Sequence, residues 1–309
     1  GMVPGAIGSQ TNGSVIRPAA FCGVVGFKPT HGLIPRSGAL LLSRTLDHVG
    51  VFARTVEDVA LLASVLAGYD AEDPDTHPIA PPAFVQVAAS EPPLPPRLAF
   101  VRSPAWEHAE PATRAAFSEL VEALGSAVEE VELSSGFEHA IDKQKVVMEV
   151  EMAHNFHRDY EQRGSQLSAQ LRQLIERGRS CPAVDYLAAV AGIAPLNQSL
   201  ESVFDEFDAI LTPAAPGEAP KGLDSTGNPV FCTIWTYLGT PALTLPLIQS
   251  ERGLPLGVQL VGRRDNDARL LRTARWLVSK LEVRGGTRRR RKDARVQDQH
   301  PHPRPRKPS

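Results

Sequence analysis

Ser14 has the strongest case for chemistry in this sequence because of the residues around it. It ends the run GSQTNGS from Gly8 and is followed by Val15, Ile16, Arg17 and Pro18. Ser9, Gln10, Thr11, Asn12 and Gly13 are small or polar, with glycine where backbone must approach closely. Such a loop can turn successive N–H groups toward one point. Pro18 fits the first turn of a helix through Ala19, Ala20 and Phe21, since the donor it lacks has no partner there. The loop would then end at a positive helix terminus. A serine hydroxyl beside such donors can attack a carbonyl while the backbone stabilises the oxyanion. The same residues also suit an ordinary Gly/Ser turn, and the loop alone does not separate the two readings.

The flanking elements must hold that loop. Val24 to Phe27 reads as a short buried strand stopped by Pro29, and 32–47 reads as loop. Thr55 is a helix N-cap with Glu57 and Asp58 in the first turn and Val59, Leu61, Leu62, Val65 and Leu66 on the apolar face. The Pro- and Asp-rich stretch 70–96 predicts an exposed connection without helix or central strand. A strand over 97–101, a helix over 111–124 and a strand over 127–133 predict a parallel crossover. Helical periodicity covers about 137–162, 165–177 and 184–207. Strands over 209–212 and 256–262 and an amphipathic helix over 267–281 follow.

A chain of 309 residues is long enough for one large or two ordinary domains. Its net charge of −2 gives no field that would recruit nucleic acid or a membrane. That balance hides an asymmetry. Residues 284–309 hold ten Lys/Arg against two Asp, so the rest carries about −10, an acidic surface. The three cysteines, Cys22, Cys181 and Cys232, are too widely spaced for a CxxC or zinc pattern and predict a reduced, cytoplasmic protein. Cys22 reads as a core residue. No apolar run is long enough to span a bilayer, and the first residues present do not read as a charged-then-apolar signal sequence. The tail from Arg284, rich in arginine and proline, reads as disordered and solvated, although its RRRRK run also invites a nucleic-acid or nuclear-import reading.

The whole stretch GSQTNGSVIRPAAFCGVVGFKPTHG closely resembles the Gly/Ser-rich signature of the amidase signature family. Later blocks, SRTLDHVGVFARTVED, FDAILTPAAP, NPVFCTIWTYLGTPALTLPL and GLPLGVQLVGRR, resemble the same family. The resemblance covers about Gly1 to Leu281 and implies the C-terminal two thirds of the domain. It implies an α/β fold with a mixed, mostly parallel central sheet flanked by helices on both faces. The expected organisation is an amidase signature domain over 1–283, lacking its N-terminal part, and a tail over 284–309.

By the same resemblance Ser14 is the acyl-enzyme nucleophile, and the backbone N–H groups of Thr11, Asn12, Gly13 and Ser14 form the oxyanion hole. Asn12 departs from the small Gly or Ala usual there, so its side chain would either narrow the pocket or hydrogen-bond locally. The implied triad is completed by a cis-serine and a lysine upstream of the nucleophile. Only thirteen residues precede Ser14, so both partners are expected outside this chain and the isolated chain is expected to be nearly inactive. Lys28 is the nearest lysine, but the lysine of this FKPT motif is not the family's base.

The implied function is hydrolysis of linear amides, with a small-molecule amide as substrate and no metal or organic cofactor. The alternatives are an amidotransferase A subunit releasing ammonia from glutamine for tRNA-dependent amidation, and a non-catalytic amidase-like fragment. A homodimer is left open, and membrane and nucleic acid are not expected partners. Trp235 and Tyr237 are candidates for an acyl pocket, with core packing as the alternative. The adjacent Asp47 and His48 are expected to be structural rather than a catalytic couple. His139, His154 and His157 lack the accompanying ligands of a metal site. Glu149, Met152, His154, Phe156 and Tyr160 lie in the variable helices as pocket or core residues that the sequence does not sort.

Overall fold

Short apolar runs, most of them bounded by glycine, proline or polar residues, supply the strands of a central sheet. The structure, a computed structural model, describes residues 2–281. The expected tail over 284–309 and the boundary at 283 lie outside the described residues. The strands are β1 (Gly5–Gln10), β2 (Val25–Lys28), β3 (His48–Ala53), β4 (Leu98–Val101), β5 (Val128–Val131), β6 (Ala209–Pro213), β7 (Ala242–Gln249) and β8 (Pro255–Val261). They form one sheet in the order β1-β3-β2-β7-β8-β6-β4-β5.

This is a mixed sheet, but the expectation that it is mostly parallel is corrected. Among the described residues β3 runs antiparallel to β1 and β2, β7 to β2 and β8, and β8 to β6; only β4 with β5 and β4 with β6 are parallel. That expectation comes from the family resemblance; the parallel pairing that the sequence itself predicts is the β4–helix–β5 crossover. Between β7 and β8 the connection is short. The turn between β7 and β8 closes with Ser250 N–H donating to Leu254 O at 2.9 Å, and a connection so short can join only antiparallel neighbours.

Helices cover both faces, as expected: α1 (Ile16–Cys22), α2 (Val56–Leu66), α3 (Phe84–Ala89), α4 (Pro111–Leu124), α5 (Ala140–Asn155), α6 (His157–Arg163), α7 (Ala169–Ser180), α8 (Ala183–Ala191), α9 (Ile193–Glu206), α10 (Val230–Tyr237) and α11 over 267–281. Strand alternation divides the core. Phe27, Val51, Leu243 and Leu260 face one cluster under α2, α4 and α11. Ala242 and Val261 face the other, which joins α1, α5, α9 and α10. Thr55 caps α2 as expected, accepting from Asp58 N–H at 3.1 Å.

Three local expectations are also corrected. The stretch 70–96 contains α3 and is tied down: Phe84 is buried edge-on against Phe27, and Asp73 accepts from Arg36 Nη2 at 2.7 Å. That guanidinium holds the buried Asp73 carboxyl well below the usual range. The helical run 137–162 breaks at Phe156, and the run 184–207 breaks at Gly192. Cys22 is exposed at the end of α1, where Gly23 takes a left-handed conformation; Cys232 is the buried cysteine.

Candidate functional site

The Ser14 loop links the end of β1 to α1. On its far side Val15 and Ile16 are fully buried, which pins the helix, while Ser14 itself is exposed. Gly13 is required by close approach: a Cβ there would lie 2.8 Å from Cβ of Pro229 and 3.3 Å from Sγ of Cys232.

The loop's polarity is set from inside. The Gln10 carboxamide, 1% exposed, accepts from the N–H groups of Val15 at 2.8 Å and Ile16 at 3.0 Å, occupying the first donors of α1. The other end of that amide donates to Thr236 Oγ1 at 2.8 Å. The Thr236 hydroxyl donates in turn to the Asn12 carbonyl at 2.5 Å. Gln144 Nε2 donates to the Thr11 carbonyl at 3.2 Å, and Arg17 N–H to the Gly13 carbonyl at 2.9 Å. Three successive carbonyls therefore accept from the protein interior. The N–H groups of Thr11, Asn12, Gly13 and Ser14 have no acceptor among the described residues, nor has the Ser14 hydroxyl a partner. An exposed hydroxyl among open backbone donors can form a bond to a carbonyl carbon and stabilise the resulting oxyanion.

The side chains around the loop brace it. Thr233 Oγ1 donates to Asn12 Oδ1 at 2.7 Å, so the Asn12 side chain hydrogen-bonds locally against α10. Thr11 Oγ1 donates to Asp47 Oδ1 at 2.6 Å, and Asp47 Oδ2 accepts from Leu42 N–H at 2.7 Å and Ser43 N–H at 3.0 Å. Burial pushes the Asp47 carboxyl up, and these donors oppose the shift. His48 sits within 2.7 Å of the Leu46 carbonyl through Nδ1 and is held neutral by burial. Asp47 and His48 thus serve separate structural ends. Lys28 is fully buried and donates to Thr240 O at 2.5 Å, away from any bond to Ser14.

Trp235 and Tyr237 are each 1% exposed in the core cluster behind the loop, and Tyr237 donates its hydroxyl to the Ala189 carbonyl. Thr236, between them, reaches the loop from α10, as Thr233 does. Met152 and Phe156 pack with Ile175 in a satellite core, Glu149 pairs with Arg177 at 2.7 Å, and Tyr160 donates to Glu176 at 3.1 Å. His139, His154 and His157 are exposed, and no metal-ligand cluster of three occurs among the described residues.

The bracing roles of Gln10, Gln144, Thr233 and Thr236 do not emerge from the sequence alone. One signal is present: Thr233 and Thr236 stand at i and i+3 in the otherwise apolar VFCTIWTY, a polar seam on a buried helix. Gln144 carries no comparable signal, since α5 mixes charged and apolar residues on every face.

The sequence profile of the family described as Amidase matches residues 1–271. The A subunit of glutamyl-tRNA(Gln) amidotransferase from Symbiobacterium thermophilum is 32% identical over 316 residues, covering 91% of this chain and 64% of that protein. Its counterpart from Trichormus variabilis is 29% identical over 306 residues, covering 87% and 63%. Among solved structures, one described as part of a vestigial complex that reveals the origins of an s-triazine catabolic enzyme superposes with a TM-score of 0.81. It is 27% identical and covers 90% of this chain and 63% of that one. The glutamyl-tRNA(Gln) amidotransferase A subunit of Thermotoga maritima gives 0.70 at 27% identity, covering 88% and 61%. The chain thus spans less than two thirds of the length of these relatives.

Proposed function

The chain belongs to the amidase family, and from that membership we propose that it carries the nucleophile and oxyanion-binding half of a serine amide hydrolase. The observation that supports this most is the exposed Ser14 hydroxyl beside backbone donors whose own carbonyls are turned inward. In this reading Ser14 Oγ adds to the amide carbonyl, and the N–H groups of Thr11 to Ser14 take the oxyanion. The C–N bond then breaks, the serine proton passes to the departing amine or ammonia, and water hydrolyses the acyl-serine to a carboxylate.

A base must lie within hydrogen-bond reach of the serine. No described lysine or serine bonds Ser14, so this reading takes the cis-serine and lysine of the triad from outside the chain. It also takes the protein to be soluble and cytoplasmic; no helix among the described residues is long and apolar enough to cross a membrane.

The test is release of ammonia or amine from a panel of linear amides by the protein expressed from its whole gene. Ser14→Ala is expected to reduce turnover by about 10⁴-fold or more. Turnover that survives this substitution removes Ser14 from the mechanism. The present chain alone is expected to stay near background. A second reading is favoured by the relatives that carry the name of an amidotransferase A subunit. Glutamine as the preferred amide, together with co-purifying protein partners, would select it over a free-standing amidase. Absence of any Ser14-dependent turnover would leave the fragment reading.

A further inference from the structure

A cleft of about 410 Å³ opens at the C-terminal end of α10. Its walls include Arg44, Asp75, Glu151, Tyr186, Ile193 and Arg264, and no residue of the Ser14 loop lines it.

The carboxylates in these walls already have their donors. Glu151 accepts from Ser43 Oγ at 2.5 Å, Thr45 N–H at 3.0 Å, Thr45 Oγ1 at 2.5 Å and Tyr186 OH at 2.8 Å. Asp75 accepts from Arg36 Nη2 and from Arg44 Nε at 3.1 Å and Nη2 at 3.0 Å. His31, also in the wall, is kept neutral, its pKa lowered to about 4 by burial and then by Arg36.

The arginines are not matched in the same way. Arg264 is half-buried, and its one hydrogen bond is a long one from Nη1 to Leu238 O at 3.4 Å; it has no carboxylate partner among the described residues. Nη1 of Arg44, on a side chain 60% exposed, has no acceptor there either. Gly239 turns the backbone beside the Arg264 head: it takes φ 65°, and a Cβ there would press on His31 Cβ at 3.0 Å while only touching Arg264 Nη1 at 3.5 Å. The unsatisfied groups of the cleft are therefore cationic donors, held by a backbone turn that only glycine adopts without strain.

We propose that this cleft binds a small organic carboxylate, its two oxygens on the Arg264 guanidinium and its apolar body against Ile193 and the Tyr186 ring. A planar carboxylate matches the parallel N–H groups of arginine. A single negative charge is preferred over the double charge of phosphate because Asp75 and Glu151 stand in the same walls. The site does not rest on the reading of Ser14.

The test is calorimetric titration of the chain with benzoate and, separately, with inorganic phosphate, with thermal unfolding run on each variant. Saturable benzoate binding is expected, weakened about tenfold or more by Arg264→Gln, less by Arg264→Lys, and unchanged by Ser14→Ala. Phosphate should bind more weakly than benzoate. Should Arg264→Gln not fold, Arg264→Lys carries the comparison, because it keeps the charge and loses the fork. No saturable benzoate binding, benzoate binding that neither arginine variant changes, or phosphate binding tighter than benzoate overturns the proposal. Loss of binding in Ser14→Ala would put the carboxylate at the Ser14 loop and overturn it as well.

Discussion

Thr236 carries more of the Ser14 loop than its size suggests. Its single hydroxyl accepts from Gln10 and donates to the Asn12 carbonyl, so it fixes both the start of the loop and the direction of its peptide groups. Thr236→Val keeps the shape and leaves a buried amide and a carbonyl without partners. The expected loss is about 2 kcal/mol in urea unfolding, since orphaned buried polar groups cost about 1–3 kcal/mol. Thr236→Ser should recover most of it; equal losses in both would assign the effect to packing of the methyl group. Asn12→Gly should cost less than about 1 kcal/mol, because Thr233 Oγ1 can turn to the Pro229 carbonyl 3.2 Å away. Pro18 is legible in the sequence because its demand is local, whereas the need for glycine at position 13 is set by Pro229 and Cys232, remote in the chain. Gln10 and Thr236 are 226 positions apart, and no local pattern couples them. Asn12 is visible as a departure, but which of its two roles it takes depends on Thr233, equally remote.

At the level of elements, what can be read is whatever a single segment decides by its own periodicity. The N-cap at Thr55 and the β4–α4–β5 crossover are of that kind. Strand direction across the sheet is not, because β2, β3, β7 and β8 find partners through connections whose course the sequence does not state. β1 is illegible for another reason: GAIGSQ has little apolar alternation, and it becomes a strand by pairing along β3 from Gly5 with Ala53 to Gln10 with His48. Helix contact shows the same dependence. α5 and α7 approach so closely that a Cβ on Gly178 would lie 1.9 Å from the Glu149 carbonyl oxygen. That neighbour is backbone, so one helix must move away. Gly178→Ala should therefore destabilise the chain by about 1–3 kcal/mol despite its better helix propensity. Substitution of the exposed helix residue Glu119 by Ala should change the unfolding midpoint little. A neutral Gly178→Ala would mean that the two helices are not packed at this distance.

Across the molecule, the ends of the described chain are tied by ionisable groups that the fold buries completely. Lys28 closes β2, and Asp267 opens α11. Asp267 accepts from the Thr30 N–H at 2.8 Å and from the Thr30 hydroxyl at 2.6 Å, joining the two segments. Burial raises the Asp267 carboxyl from 3.8 to about 6, with the Thr30 donors opposing. Burial lowers the Lys28 ammonium from 10.5 to about 7, with Asp267 opposing. The signs follow from proton linkage. Between pH 3.8 and about 6 the folded state holds the Asp267 proton more tightly than the unfolded chain, so that contribution is complete below this window and is lost as pH rises through it. Between about 7 and 10.5 the unfolded chain holds the Lys28 proton more tightly, so that contribution is complete above the window and is lost as pH falls toward 7. Each group changes stability by at most about 1.4 kcal/mol per pH unit inside its window. Urea unfolding from pH 4 to 10 should therefore show a shallow minimum between the two windows once the variants' curves are subtracted from that of the parent chain. Asp267→Asn should remove the falling limb below pH 6, and Lys28→Met the rising limb above pH 7. Flat curves would mean that these groups are exposed to water, and with them that the packing joining β2 to α11 is wrong; limbs of the opposite slope would mean that the attraction between Lys28 and Asp267 outweighs their burial.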